Sequence, residues 1–212
     1  MVRRSTRSSF MGGAHVFPGG GVDAGDGGAV ARSAVAWFGA DDELAWRAAA
    51  LREVAEETGL FITDRSFAST TEGEALFGEM VADGVRFAAD RLEYLSNWVT
   101  PRGSPRRFDT RFFVAEVEDG TEGGADEREV FDPEWITAEV ALERAATNQW
   151  YIEFPTLRHL ELIARFDAPA GMMEYARSLD EVPRIEPRMW MSEGGDWTIV
   201  MPGEAGYESL PA

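Results

Sequence analysis

Residues 44–60 read LAWRAAALREVAEETGL. Leu44, Ala48, Leu51 and Ala55 recur at helical spacing and define one apolar face. A helix is therefore predicted to run to about Thr58, with Asp41 or Asp42 as its N-cap and Gly59 as its C-cap. The same helix carries Glu53, Glu56 and Glu57 within five positions. Like charges three and four residues apart repel each other and weaken an isolated helix. A chain that keeps all three either displays a solvated acidic face or neutralises the acids with a cation.

Carboxylate oxygens suit Mg²⁺ or Mn²⁺, whereas Zn²⁺ prefers nitrogen or sulfur. Mg²⁺ is usually held by a few carboxylates together with substrate phosphates, so the natural ligand of such a helix is a polyphosphate bridged by metal. Upstream lies FPGGGVDAGD (17–26), a glycine loop that carries Asp23 and Asp26 toward the helix. Glycine there lets the backbone come close to an anion or a metal.

Composition narrows the partners. The 212 residues carry a formal net charge of −18, which argues against a nucleic-acid backbone as the main partner. All 20 basic residues are arginines, so no lysine is present to hold a phosphate or form a Schiff base. The absence of cysteine excludes disulfides, thiolate nucleophiles and cysteine metal sites. No apolar run approaches the roughly 18–20 residues of a membrane span, and the basic start MVRRSTRSSFMGG lacks the apolar core of a secretion signal. A cytoplasmic protein without a membrane partner is expected, and a second copy of the chain is a candidate partner.

Residues 12–28 are expected to be loop, interrupted by a short strand near Val16–Phe17. Two strands are predicted over 92–101 and 110–118, with the basic turn RGSPRRFD between them. Residues 130–145 read as a strand, a turn and a helix starting near Thr137. A further helix follows over 154–166, with Pro155 in its first turn. The tail carries two short strands across the glycines of RMWMSEGGDWTIVMPG. Strands alternating with helices indicate an α/β layered domain.

The stretch REVAEETGL (52–60) resembles the second half of the Nudix box, G-x5-E-x7-R-E-U-x-E-E-x-G-U, where U is a bulky apolar residue. Arg52, Glu53, Val54, Glu56, Glu57, Gly59 and Leu60 match its fixed positions. In GGGVDAGD, Gly20 falls on the box glycine and Asp26 stands where glutamate is usual. The spacing departs: 25 residues separate Asp26 from Arg52 instead of seven, an insertion of 18 over about 27–44. A Nudix subgroup that includes the peroxisomal CoA diphosphatase-like proteins is similar in having an insertion here, and PRRFDTRFFVAE (105–116) and IVMPGEAGY (199–207) resemble it as well. The resemblance implies a Nudix fold over 1–212, an α/β/α sandwich with a mixed sheet, and a C-terminal extension over 167–212. In that fold MVRRS would end an early strand that another strand normally precedes, so either the start codon is misassigned or the first strand of the sheet is lacking.

The resemblance further implies hydrolysis of a nucleoside diphosphate linked to another group, with Mg²⁺ or Mn²⁺ held by Glu53, Glu56, Glu57 and the Gly20 carbonyl. Arg52 would pair with a box glutamate and fix its rotamer. Glu129, with Glu127 behind it, is the candidate for the base or extra ligand that many members place outside the box. Arg102, Arg106, Arg107 and Arg111 form the strongest basic island in an acidic chain, and arginine binds phosphate bidentately; internal pairing with the acids, through Asp109, is the alternative. His15 abuts the glycine loop and is a candidate substrate contact, while His159 lies on an amphipathic helix and is expected to be structural. CoA-cleaving members carry an upstream pattern, roughly L-L-T-x-R-[SA]-x3-R-x3-G-x3-F-P-G-G. Arg4, Ser5, Gly13, Phe17, Pro18, Gly19 and Gly20 fall in register with it, and Ser9 replaces the inner arginine. CoA or acyl-CoA is the leading substrate expected, followed by ADP-ribose or dinucleotides.

Overall fold

The computed structural model describes residues 1–7, 12–118, 120–124, 130–191 and 197–210. In chain order the elements are β1 (Val2–Arg4), β2 (His15–Val16), α1 (Ala29–Ala34), α2 (Leu44–Thr58), α3 (Glu74–Asp83), β3 (Glu93–Val99), β4 (Asp109–Val114), β5 (Val130–Phe131), α4 (Ala138–Ala146), α5 (Phe154–Ile163), α6 (Pro169–Arg177), β6 (Arg184–Ile185), β7 (Arg188–Met191) and β8 (Trp197–Val200). The chain divides into two compact units, Met1–Leu92 with Ala115–Met172, and Glu93–Val114 with Met173–Ala212.

The first unit is built around α2. Leu44, Ala48, Leu51 and Ala55 are all buried, as their helical spacing predicts. The helix stops at Gly59, whose φ of +65° is a left-handed conformation that costs glycine little, and whose N–H returns to the Ala55 carbonyl. Its start differs from expectation. Asp41–Glu43 form a 3₁₀ turn ahead of Leu44, and neither aspartate caps α2 with its side chain. The turn is held instead from inside the helix. Arg47, buried on α2, donates to Glu43 and to the Ala89 and Leu92 carbonyls, and lies over the Trp37 ring at 3.8 Å.

The inserted segment is thereby tied to the core. Its α1 packs against α3, and Ala31, Ala34, Val35 and Ala36 are buried with Leu76, Phe77, Met80 and Phe87. Val35 and Thr63 both bridge to Phe87, and the Ala36 and Phe87 amides bond to the Phe87 and Ala34 carbonyls. Each large apolar side chain buried here contributes on the order of 1.5–3 kcal/mol. The insertion covers apolar surface of its own unit, although Phe38 at its tip is 85% exposed.

In the same unit β1 lies between β2 and β5, antiparallel to both. Helix α4 starts where expected: Thr137 is its N-cap and its hydroxyl accepts from the Val140 amide. Helices α4 and α5 enclose a core of Ala138, Ala141, Ile152 and Leu160. His159 of α5 is buried, and its Nδ1 lies 2.6 Å from the Pro155 carbonyl, which can only accept, so Nδ1 carries a proton. Burial lowers the His159 pKa from its ordinary 6.5, with the Pro155 bond opposing. The unfolded chain therefore binds a proton near pH 6.5 that the folded chain resists. The stability this group contributes is complete above that pH and falls as the pH drops toward the lowered folded value. Urea midpoints measured from pH 7.5 to 5 are expected to decline on the acid side, and His159→Gln is expected to flatten that decline.

The second unit contains the predicted β3–β4 pair, antiparallel with Asn97 opposite Arg111, and β6 added parallel to β3 to give a mixed sheet. Strands β7 and β8 form the expected hairpin of the tail. The glycines proposed as its turn lie outside the described residues.

Candidate active site

The acidic helix and the glycine loop meet in space despite the residues between them. Arg52 is 3% exposed and Asp26 is fully buried. The guanidinium donates through Nε to one Asp26 carboxylate oxygen at 2.8 Å and through one terminal nitrogen to the other at 3.0 Å, a bidentate pair. That nitrogen also reaches the Gly21 carbonyl at 3.0 Å, and the remaining one donates to Glu53 at 3.0 Å and Glu56 at 2.9 Å. Asp26 in turn accepts the Asp23 amide at 2.7 Å, which closes the 3₁₀ turn Ala24–Gly27. Burial alone would lower the Arg52 pKa, but hydrogen bonding and charge from Asp26, with Glu53 and Glu56 behind it, raise it overall. The guanidinium is permanently charged. Arg52 thus pairs with two of the helix's glutamates where the resemblance implies one, and its principal partner is Asp26.

Beyond Arg52, the three acids of α2 meet different glycines. Glu57 is 7% exposed and accepts the Gly19 amide at 2.8 Å. Glu56 accepts the Gly73 amide at 2.7 Å in addition to Arg52. Glu53 lies against Gly20, where a Cβ would fall 2.4 Å from its carboxyl carbon, so only glycine permits this approach. Burial raises the Glu53 pKa above its ordinary value; Arg52 opposes the shift, and Glu56 and Asp23 add to it. Among the described residues no group of three His, Asp or Glu side chains is disposed to hold a metal ion. The donors nevertheless fit Mg²⁺ or Mn²⁺ in kind, being carboxylates beside a glycine backbone packed against one of them.

A solved Nudix hydrolase from Alicyclobacillus acidocaldarius matches this chain with a TM-score of 0.71 and 28% identity, covering 82% of this chain and 86% of that one. The fold is the Nudix fold. A Caenorhabditis elegans protein named "Putative nudix hydrolase 7" is 29% identical over 175 residues, 78% of this chain. The present chain spans 55% of the length of that relative. No family model matches the sequence. The two likenesses together support membership of the Nudix hydrolase family.

The other predicted residues fall in different places. Glu127 and Glu129 lie outside the described residues. His15 sits on β2, two residues before Phe17, with its ring stacked on Trp150 at 4.0 Å and nearly parallel to it. Its Nδ1 is buried and makes no hydrogen bond among the described residues. Burial, then the charge of Arg3, lowers its pKa.

The arginine island lies in the second unit. Arg107 donates to the Thr100 carbonyl and pairs with Glu186 at 2.8 Å, while Arg102 reaches Glu186 at 3.8 Å. Arg111 lies over Tyr94 at 5.7 Å. Asp109 is bonded by Asn97 and lies 3.6 Å from Arg184, so among the described residues Glu186, and not Asp109, is the acid that meets Arg102 and Arg107. Arg102 also lines a cavity of about 320 Å³ with Arg188, Met189 and Tyr207.

Two features of the candidate site escape sequence reasoning. Asp26 is a complete partner for Arg52 because the turn beginning at Asp23 brings its shorter side chain within reach. Gly73 lies 16 residues beyond Glu57 in a segment without a motif, and only the fold brings its amide to Glu56.

Proposed function

We propose that this chain is a divalent-metal-dependent hydrolase that cleaves the diphosphate linkage of a nucleoside diphosphate derivative. CoA or acyl-CoA is the leading substrate, giving 3′,5′-ADP and (acyl) phosphopantetheine. The observation that carries this reading is the bidentate Asp26–Arg52 pair, which joins the glycine loop to the acidic helix across 25 residues, with Glu53 against Gly20 and Arg52 on the Gly21 carbonyl. Glu53, Glu56, Glu57 and the Gly20 carbonyl would hold Mg²⁺ or Mn²⁺. Such an ion neutralises phosphate oxygens and activates water. Arg52 fixes the rotamers of Glu53 and Glu56 and compensates their charge. The Gly19 amide orients Glu57. Glu129 is the candidate base outside the box. Arg102, Arg106, Arg107 and Arg111, with His15, are the candidate substrate contacts, since every anion contact from a basic side chain must come from arginine or histidine here. The preference for CoA rests on the upstream residues Arg4, Ser5, Gly13 and Phe17–Gly20 and their register with the CoA pattern. Among the described residues no helix is long and apolar enough to cross a membrane, and the reading is completed by a small phosphorylated substrate in the cytoplasm, without a nucleic-acid partner and with a second copy of the chain as a candidate partner.

A second reading, a Nudix-fold binding module without catalysis, is favoured by one observation: the described residues include no group of three His, Asp or Glu side chains disposed to hold a metal ion. Incubation with Mg²⁺ and CoA, acetyl-CoA, ADP-ribose, NADH or a nucleoside triphosphate, with products identified by mass, separates these readings. The CoA reading expects 3′,5′-ADP. AMP with ribose 5-phosphate would reassign the substrate to ADP-ribose, and no product from any compound would favour the binding module.

A further inference from the structure

We infer that Gly73, outside the Nudix box, is a positioning residue that holds the box carboxylate of Glu56; the inference rests on the metal-site reading above. The amide of Gly73 donates to Glu56 Oε1 at 2.7 Å, while Arg52 donates to the other oxygen. Both carboxylate oxygens are thus fixed, one from α2 itself and one from the start of α3, and the side chain is only 17% exposed. Gly73 has φ +61° and ψ −147°, a region close to that which only glycine populates readily. That conformation lets the residue serve as the N-cap of α3 while its own amide, which lies outside the helix, faces α2.

The arm that carries this amide is built from several contacts. Helix α3 is anchored by Leu76, Phe77 and Met80, all with no exposure. The Ser69 hydroxyl donates to Glu79 on α3 at 2.7 Å and accepts the Thr71 amide at 2.9 Å, which ties the approach to Gly73 back onto the helix. Glu74, the next residue, packs against Gly25 of the box loop, where a Cβ would lie 3.1 Å from the Glu74 Cβ. The start of α3 therefore touches both halves of the box. Outer partners of this kind change metal affinity or activity by about 10–100-fold when lost.

The test is Mn²⁺ binding without substrate, read from the electron paramagnetic resonance of free Mn²⁺, on variants whose fold is checked by circular dichroism. Glu56→Gln is expected to weaken binding, and Gly73→Ala to weaken it about tenfold, the lower end of that range. Combining Gly73→Ala with Glu56→Gln is expected to add nothing, because the amide acts through Glu56. Wild-type affinity in folded Gly73→Ala beside weakened Glu56→Gln would overturn the inference, as would full additivity of the two changes. Unchanged binding in Glu56→Gln would overturn the metal-site reading itself. Should Gly73→Ala not fold, Ser69→Ala, which loosens the arm without touching the box, carries the same test: weaker binding supports the inference and unchanged binding overturns it.

Discussion

Replacing Asp26 with alanine is expected to destabilise the protein by about 3–5 kcal/mol, because it leaves the buried Arg52 charge without its principal partner. Asp26 has no exposure and Arg52 has 3%, so water cannot take over the lost contacts. Glu53 and Glu56 remain bonded to one end of the guanidinium, which holds the loss within this range. For a chain of this length the melting temperature should fall by about 6–20 °C. Asp26→Glu, which restores the usual box residue, adds a methylene to a filled site and is expected to cost about 1–3 kcal/mol. Urea unfolding checks both values. A loss below about 1 kcal/mol for Asp26→Ala would mean that the pair is not what joins loop and helix.

Glu57→Gln is expected to lower kcat at least about 100-fold, the upper end of what outer partners of a metal site cost, while leaving the fold intact. Glutamine keeps the shape of the side chain, and its carbonyl oxygen can still accept the Gly19 amide that now bonds Glu57. What disappears is one negative charge at 7% exposure, and with it attraction for a divalent cation. A steady-state assay with circular dichroism on the same samples checks this. Raising Mg²⁺ should recover part of the activity if the loss is in metal affinity.

Much of this was legible in the sequence because it is written in local patterns. The apolar stripe and Gly59 define α2 to its last residue, Thr137 defines the start of α4, and the paired strands β3 and β4 follow from their apolar runs. Arg52, Glu53, Glu56 and Glu57 are recognisable because one helix sets their spacing. The remainder depends on distant parts of the chain. Helix α1 is six residues with alanine at three positions, too short and too weakly patterned to stand out, and it exists because α3 and Phe87 receive it. The start of α2 is not legible because an aspartate can cap a helix or begin a 3₁₀ turn, and buried Arg47 decides between the two. Glu186 is not readable as the partner of Arg102 and Arg107 because it lies 79 positions beyond Arg107. Gly73 carries no sequence signal, since any residue has an amide and only its conformation distinguishes it.

The central claim is that the three acids of α2 serve metal-dependent cleavage of a diphosphate. Its most direct test is product formation, followed by mass with Mg²⁺ titrated from zero in the presence of a chelator, for the wild type beside Glu57→Gln. The account predicts products of a single phosphoanhydride cleavage that appear only with metal and nearly vanish in the variant. Turnover without any divalent ion, or equal turnover by wild type and Glu57→Gln, would contradict it.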